Sequence, residues 1–182
     1  MGEKIPQSAT DSNWLAQSKI KNCQVATFIS NSPVETEAIG QQFAEEIGPG
    51  SILALKGDLG SGKTMFVKGL VVGLGSRGDV TSPTFTILHE YRGGQVPVYH
   101  FDFFRLEKRE SVARLSLDDY FFGDGVSVIE WADRFPEFIP QQAHWILFEI
   151  KSENQRGIIV QGTAISNPPL ASGGLETALL DS

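Results

Sequence analysis

A chain of 182 residues, 41% of them hydrophobic, is long enough for one well-formed core and too short to predict two full domains. Its 15 basic and 22 acidic residues give a net charge of −7, which argues against direct binding of a polyanion, because nucleic-acid affinity comes mainly from Lys and Arg. One cysteine excludes an internal disulfide, and neither a run of about 18 apolar residues nor a signal-peptide core is found, so we expect a soluble, cytoplasmic protein without membrane association.

The chain begins with a polar stretch, residues 1–22, that has no hydrophobic periodicity, and we expect a mobile extension there. The following segment, VATFISNSPVETEAIGQQFAEEIGPG, predicts a strand, a turn and a helix. Ser32 suits the N-cap of this helix and Pro33 its first position. The Gly-Pro-Gly run at 48–50 is predicted to end it.

Glycine, lysine and threonine are concentrated in GDLGSGKT, residues 57–64. The spacing Gly57-x-x-x-x-Gly62-Lys63-Thr64 fits a P-loop, in which backbone N–H groups surround phosphate, the lysine reaches the β- and γ-phosphates and the hydroxyl ligates Mg²⁺. An apolar run, ILAL, precedes the loop as a buried parallel strand would, and apolar residues at helical spacing follow it. The segment therefore predicts a loop that delivers phosphate to a helix N-terminus.

The remaining elements predict a central sheet covered by helices. DVTSPTFTILHEY and VPVYHFDFF predict two strands joined by a hairpin-like turn, EKRESVARLSLDDYF a helix, and GVSVIEW a buried strand. HWILFEI and GIIVQG predict a closing pair of strands. We expect an α/β, P-loop NTPase-like three-layer sandwich with a mostly parallel or mixed sheet over residues 23–162, and a disordered tail over residues 163–182.

Two acidic residues come directly after apolar runs, Asp102 after VYHF and Glu130 after VSVI. In an open α/β sheet the ligand lies beyond the carboxyl ends of the strands. A P-loop nucleotide needs an acid that helps to hold Mg²⁺, and hydrolysis needs a group that orients the attacking water. We expect one of these carboxylates in each role, with the assignment left open, although a solvated strand-end acid is the alternative for both.

Three weaker features surround these acids. His100 lies two positions from Asp102, where it would either orient the acid or pack in the core. Trp131 is expected to be a core or interface aromatic rather than a base-stacking group. The hydroxyl-rich stretch TSPT at residues 81–84 suits either a γ-phosphate sensor or ordinary turn chemistry.

Four blocks in this order, GDLGSGKT, TSPTFTILHEY, HFDFFRL and VIEWADRFPEFIP, resemble the bacterial tRNA threonylcarbamoyladenosine biosynthesis ATPases, the TsaE or YjeE family. They span roughly residues 57–140, and the similarity extends over about 27–160. The resemblance implies a Mg²⁺-dependent ATPase that binds ATP or ADP. It also implies protein partners, the subunits that install threonylcarbamoyl on adenosine 37 of tRNA, with tRNA itself bound only indirectly.

Carried over by position, the resemblance implies that Thr64 and Glu130 hold Mg²⁺ and that Asp102 is the acid needed for hydrolysis. It places contacts on the base side of the nucleotide around Pro33 and around residues 154–156, with Arg156 as the candidate in the second region. The contacts to the phosphates would come from six loop residues: Gly60, Ser61, Gly62, Lys63, Thr64 and Met65.

Two positions depart from the family pattern. Ser61 stands where alanine is usual, and Phe104 replaces a usual tyrosine, so any role of that hydroxyl is absent. Two other functions stay open, a P-loop metabolite kinase with the basic stretch 105–114 as its lid and a nucleotide-sensing adaptor without turnover. No NKxD or TKxD run that would read guanine follows the P-loop, which favours ATP over GTP.

Overall fold

The computed structural model describes residues 23–76 and 78–163. The predicted N-terminal extension and nearly all of the predicted tail lie outside these residues. Within them, no helix has the length and apolar character needed to cross a membrane. Seven strands are present in the described part: β1 (Cys23–Ser30), β2 (Ile52–Gly57), β3 (Leu88–Tyr91), β4 (Val98–Asp102), β5 (Val126–Glu130), β6 (His144–Ile150) and β7 (Arg156–Thr163).

The seven strands form one mixed sheet in the order β1-β7-β6-β2-β5-β4-β3. The four central strands, β6, β2, β5 and β4, are parallel to one another. On one side β7 and β1 continue the sheet antiparallel, and on the other side β3 does so. The carboxyl ends of the parallel strands therefore meet at one edge of the sheet, where an open α/β fold places its ligand.

Helices cover both faces of the sheet. Leu53 and Leu55 of β2 pack in a core with α1 (Pro33–Phe43) and α2 (Lys63–Gly73). The alternate residues Ile52 and Ala54 point to the opposite face, as the two-residue period of a strand requires. That second core includes residues of α3 (Arg109–Ala113) and α4 (Leu117–Phe121). The predicted three-layer α/β sandwich with a mixed sheet is confirmed.

The start of α1 follows its predicted capping. The Ser32 hydroxyl accepts a hydrogen bond from the Glu35 N–H at 3.1 Å, and Pro33 occupies the first helical position. The Glu35 carboxylate accepts from the Asn31 N–H at 2.7 Å, which secures the chain before the helix. The helix changes to a 3₁₀ turn over Ala44–Glu46, ahead of the predicted stop at glycine.

Two predicted elements are shorter in the structure. The helix predicted from EKRESVARLSLDDYF is two helices, because Ser116 adopts the left-handed region at φ 49° and interrupts the chain between α3 and α4. The strand predicted from DVTSPTFTILHEY is reduced to β3, and residues 78–87 form a loop. Ile87, at φ 70°, ends that loop in a conformation that is unusual for a β-branched residue.

The two long helices approach each other through glycine. A Cβ added to Gly69 of α2 would lie 1.8 Å from the Glu37 carbonyl oxygen of α1. We therefore expect Gly69→Ala to lower the free energy of unfolding by about 3 kcal/mol, because overpacking at a backbone contact forces the helices apart. Urea unfolding measures the change, with Gly48→Ala as the control, since a Cβ there meets nothing within 4 Å. Equal midpoints for both variants would contradict this packing.

Candidate active site

The GDLGSGKT loop joins the carboxyl end of β2 to the start of α2, as the sequence predicts. Gly57 has φ 148°, and a Cβ there would lie 2.5 Å from the Phe148 carbonyl oxygen of the neighbouring strand. Gly62, at φ 100°, is the N-cap of α2. Both conformations suit glycine and turn the chain sharply into the helix. The first N–H groups of α2 thus face the edge where the parallel strands end, which is a favourable place for phosphate.

Lys63 lies folded over its own loop. Its Nζ donates to the carbonyl oxygens of Gly57 at 2.7 Å and Asp58 at 2.8 Å, and lies 3.4 Å from the Ser61 hydroxyl. The same ammonium lies 4.0 Å from the centroid of the Trp131 ring, a cation–π contact. Burial lowers the pKa of Lys63, and nearby carboxylates oppose that shift. The positive charge is therefore held within the loop, where a phosphate would bind.

Thr64, Glu130 and His100 form a hydrogen-bonded group in which Glu130 and His100 are buried and Thr64 is half-buried. The Thr64 hydroxyl donates to Glu130 Oε1 at 2.8 Å, and His100 Nε2 lies 2.9 Å from the same oxygen. Adjacent ligands of an octahedral Mg²⁺, each ~2.1 Å from the ion, are ~3.0 Å apart. The spacing of the Thr64 and Glu130 oxygens fits that arrangement. In residues 23–76 and 78–163, no group of three His, Cys, Asp or Glu side chains is placed to hold a metal ion. One hydroxyl and one carboxylate are donors that suit an ion whose other ligands are phosphate and water.

Asp102 is held by three hydrogen bonds. Its Oδ1 accepts from the Phe104 N–H at 2.8 Å, and its Oδ2 accepts from the Ser82 hydroxyl at 2.8 Å and from the Thr84 hydroxyl. The structure thus brings two of the hydroxyls of the TSPT stretch to this acid, while Thr81 contributes its carbonyl oxygen to a tyrosine of β3 at 3.2 Å. The loop of residues 78–87 is therefore tied to the edge of the sheet.

Strand order explains the different surroundings of the two acids. Asp102 and Glu130 are paired in register at the ends of β4 and β5, so their side chains share one face of the sheet. Because β5 lies next to β2, Glu130 reaches the P-loop helix, whereas Asp102 is one strand further out. Both carboxyl-bearing residues are almost fully buried, with 1% and 3% exposure.

Of the two alternatives left open for His100, orienting Asp102 is not what the structure shows, and the buried ring engages the other acid. The imidazole contacts Glu130 on the neighbouring strand, and the oxygens of Asp102 are engaged by the loop hydroxyls and by a backbone N–H. The sequence could not separate these partners, because His100 lies near both acids once the strands are paired.

Trp131 packs against the second core, as expected of a core or interface aromatic, and its ring also reaches the P-loop. A residue that continued β5 after Glu130 would point away from the site, but Trp131 adopts φ 59° and turns its ring toward Lys63. The ring also packs on Phe104, with centroids 4.9 Å apart. Nothing in the local sequence signals this reversal.

On the opposite side of the loop, Arg156 contacts the P-loop directly. Its Nη2 donates to the Gly60 carbonyl oxygen at 3.2 Å, and its Nη1 donates to three carbonyl oxygens of the turn before β7. The adjacent Gln155 side chain donates to the Asn31 side chain at 2.9 Å, which joins this turn to the segment before α1. The structure thus places the predicted base-side turn against the phosphate loop.

The start of α1 lies beside the same loop. A Cβ on Gly62 would lie 3.4 Å from the Thr36 methyl group. Pro33 is exposed at the first position of that helix, about one turn earlier. Met65 is half-buried in the first turn of α2. The start of α1 and the turn that carries Arg156 therefore both border the P-loop, whereas Asp102 lies one strand further out.

This combination of a mixed α/β sheet, a glycine-rich loop between strand and helix, and a lysine, a threonine and an acid around it defines a nucleotide-binding protein of the P-loop NTPase-like class. The family model of "Threonylcarbamoyl adenosine biosynthesis protein TsaE" matches residues 30–158. The chain belongs to the TsaE family, which confirms the resemblance drawn from the four sequence blocks.

Individual relatives agree with this assignment. The chain is 43% identical over 136 residues to the tRNA threonylcarbamoyladenosine biosynthesis protein TsaE of Bacillus subtilis, covering 75% of this chain and 84% of that protein. It is 36% identical over 132 residues to the protein of the same name from Treponema pallidum, covering 72% and 97%. The crystal structure of YdiB from Bacillus subtilis superimposes with a TM-score of 0.68 at 35% identity, covering 80% of this chain and 90% of YdiB.

Proposed function

We propose that this chain is a Mg²⁺-dependent ATPase that acts with partner proteins in the biosynthesis of threonylcarbamoyladenosine at position 37 of tRNA. The observation that carries the proposal is the 2.8 Å contact between the Thr64 hydroxyl and the Glu130 carboxylate beside the P-loop. A hydroxyl and a carboxylate at this spacing supply two ligands for the ion of a Mg·ATP complex. The names of the relatives from Bacillus subtilis and Treponema pallidum support the pathway.

The roles of the side chains follow from their contacts. The loop backbone and the Lys63 ammonium would bind the phosphates, and Thr64 and Glu130 would hold Mg²⁺. When bound, that ion supplies charge neutralisation at the β- and γ-phosphate oxygens. Asp102 has about four lone-pair positions and accepts three bonds, so one acceptor position on Oδ1 is left to orient a water. In this assignment Glu130 serves binding and Asp102 serves hydrolysis.

The metabolite-kinase alternative gains no support from the basic stretch 105–114. An acceptor lid would direct its cations to one point, but these side chains engage separate neighbours. Arg105 lies 4.0 Å above the Phe85 ring, and Arg109 lies 3.4 Å from a Glu137 oxygen. The adaptor alternative differs from the proposal only in turnover, so measured hydrolysis decides between them.

Partner proteins, rather than this chain, would carry the tRNA contacts. The net charge of −7 works against tight binding of a polyanion by the isolated chain. The partners proposed are the protein subunits of the threonylcarbamoyl-transferring complex, and the proposed compartment is the cytoplasm, where tRNA is modified.

Glu130→Gln tests the proposed binding role. We expect Mg²⁺ to increase the ATP affinity of the wild-type chain. In Glu130→Gln this Mg²⁺-dependent increase should be smaller by at least about 10-fold, because the amide keeps the shape of the side chain but lacks the charge that favours the ion. Titration of labelled ATP with Mg²⁺ or with EDTA measures this. Steady-state hydrolysis with the partner subunits measures turnover, which should fall as well.

The exposed Glu90, which pairs with Arg92 at 2.6 Å, provides the matched control as Glu90→Gln. An unchanged Mg²⁺ response in Glu130→Gln would remove Glu130 from the metal site. Binding of ATP by the wild-type chain without hydrolysis, even with the partner subunits, would establish the adaptor instead.

A further inference from the structure

We infer that His100 is a positioning residue for the metal site, which holds the Glu130 carboxylate in place through a hydrogen bond from its Nε2. The inference rests on the proposed Mg²⁺ role of Glu130 and goes beyond it, because His100 is assigned to the site through its contact with Glu130 and not as a ligand of the ion. Its ring is 0% exposed and lies within the sheet, on the face that carries both acids. The 2.9 Å distance from Nε2 to Glu130 Oε1 is that of a well-formed hydrogen bond.

The direction of this bond follows from the two groups. A carboxylate oxygen accepts hydrogen bonds only, so Nε2 is the atom that carries the hydrogen. Among the described residues, Nδ1 of the same ring is buried without a hydrogen-bond partner. A hydrogen placed on Nδ1 would be left unpaired in the interior, whereas the Nε2 hydrogen reaches an acceptor. The imidazole therefore donates its N–H hydrogen from Nε2 to the Glu130 carboxylate.

Packing fixes the ring that makes this bond. The Tyr91 ring of β3 lies 6.2 Å from the imidazole, measured between centroids, with the two planes tilted by 32°. The Tyr91 hydroxyl is itself secured by donating to the Thr81 carbonyl oxygen at 3.2 Å. An apolar side chain could fill this space without leaving a buried nitrogen unpaired, so the contact with Glu130 is the feature that distinguishes histidine here.

Glu130 needs such a donor because of its other contact. Oε1 also accepts from the Thr64 hydroxyl, but Thr64 is a proposed ligand of the same ion and has a second duty there. His100 is not a proposed ligand of the ion, so its hydrogen bond can hold the carboxylate whether or not the ion is bound. Groups that orient a ligating carboxylate in this way typically change metal affinity by about 10–100-fold when they are removed.

The test compares His100→Gln with His100→Met. Both side chains place their last heavy atom four bonds from Cα, as histidine does with Nε2, but glutamine ends in an N–H donor and methionine in a methyl group. ATP affinity is measured with Mg²⁺ and with EDTA. We expect His100→Gln to keep most of the Mg²⁺-dependent gain in affinity and His100→Met to lose about 10-fold or more of it, with equal affinities in EDTA.

His144→Gln is the control, because that histidine lies on β6, three strands along the sheet from β4, and also has a buried, unpaired Nδ1. If His100→Met fails to bind ATP even in EDTA, His100→Asn takes its place, since its amide stops one bond short of Glu130. The inference would be overturned if Mg²⁺ increased ATP affinity equally in His100→Gln and in the variant whose side chain has no donor that reaches Glu130. A wild-type chain whose ATP affinity ignores Mg²⁺ would instead overturn the proposed metal site.

Discussion

Lys63→Ala is expected to abolish productive binding of Mg·ATP while the chain remains folded. The ammonium is held in the loop by the Gly57 and Asp58 carbonyl oxygens and by the Trp131 ring, so its charge is concentrated where phosphates would bind. Hydrogen bonds to charged groups contribute roughly 1.5–3 kcal/mol each, so losing the lysine should weaken ATP affinity by at least about 100-fold. The affinity is measured by titration with labelled ATP, and folding by circular dichroism.

Lys68 provides a matched control on the same helix. Its side chain is 44% exposed and forms an ion pair with Glu37 at 3.0 Å, so Lys68→Ala removes the same charge from the chain without touching the loop. We expect wild-type ATP affinity in that variant. If Lys63→Ala bound ATP as tightly as Lys68→Ala does, the loop would be a glycine-rich turn and the proposed ATPase would lose its phosphate site.

The sequence predicted the P-loop and its two flanking elements because all of their signals are local. Glycines at fixed spacing, an apolar run before them and helical periodicity after them lie within a short stretch of chain. The acids were also predictable, since Asp102 and Glu130 end apolar runs and the ends of parallel strands share one edge. The position of an acid along its strand is therefore enough to predict that it lies at the ligand-binding edge of the sheet.

Partner choice within the site was not predictable in the same way. Asp102 accepts hydrogen bonds from hydroxyls that lie 18 and 20 residues away in the chain. His100 contacts Glu130 instead, which lies 30 residues away. Both outcomes depend on how the loop of residues 78–87 folds over β4. The left-handed conformation of Trp131 likewise turns one side chain into the site against the strand period. Such reversals depend on tertiary packing, which the local pattern does not record.

Asp102→Asn is expected to separate turnover from binding. The P-loop supplies most of the ground-state contacts to phosphate, so ATP affinity should stay within about threefold of wild type. Hydrolysis measured with the partner subunits should fall by about 100–10,000-fold, the range that a positioned acid or base contributes. The amide lacks the negative charge, and whichever oxygen becomes NH₂ will face a donor, either the Phe104 N–H or the hydroxyls of Ser82 and Thr84.

A second variant separates the carboxylate from the loop that it holds. In Ser82→Ala/Thr84→Val the two hydroxyls are removed and Asp102 is kept, so a purely anchoring role would make this double variant as slow as Asp102→Asn. We expect the double variant to retain more activity, because the carboxylate still accepts from the Phe104 N–H at 2.8 Å and can still orient water. Equal losses would make Asp102 an anchor for the loop. A wild-type rate in Asp102→Asn would make it a structural acid at the end of β4.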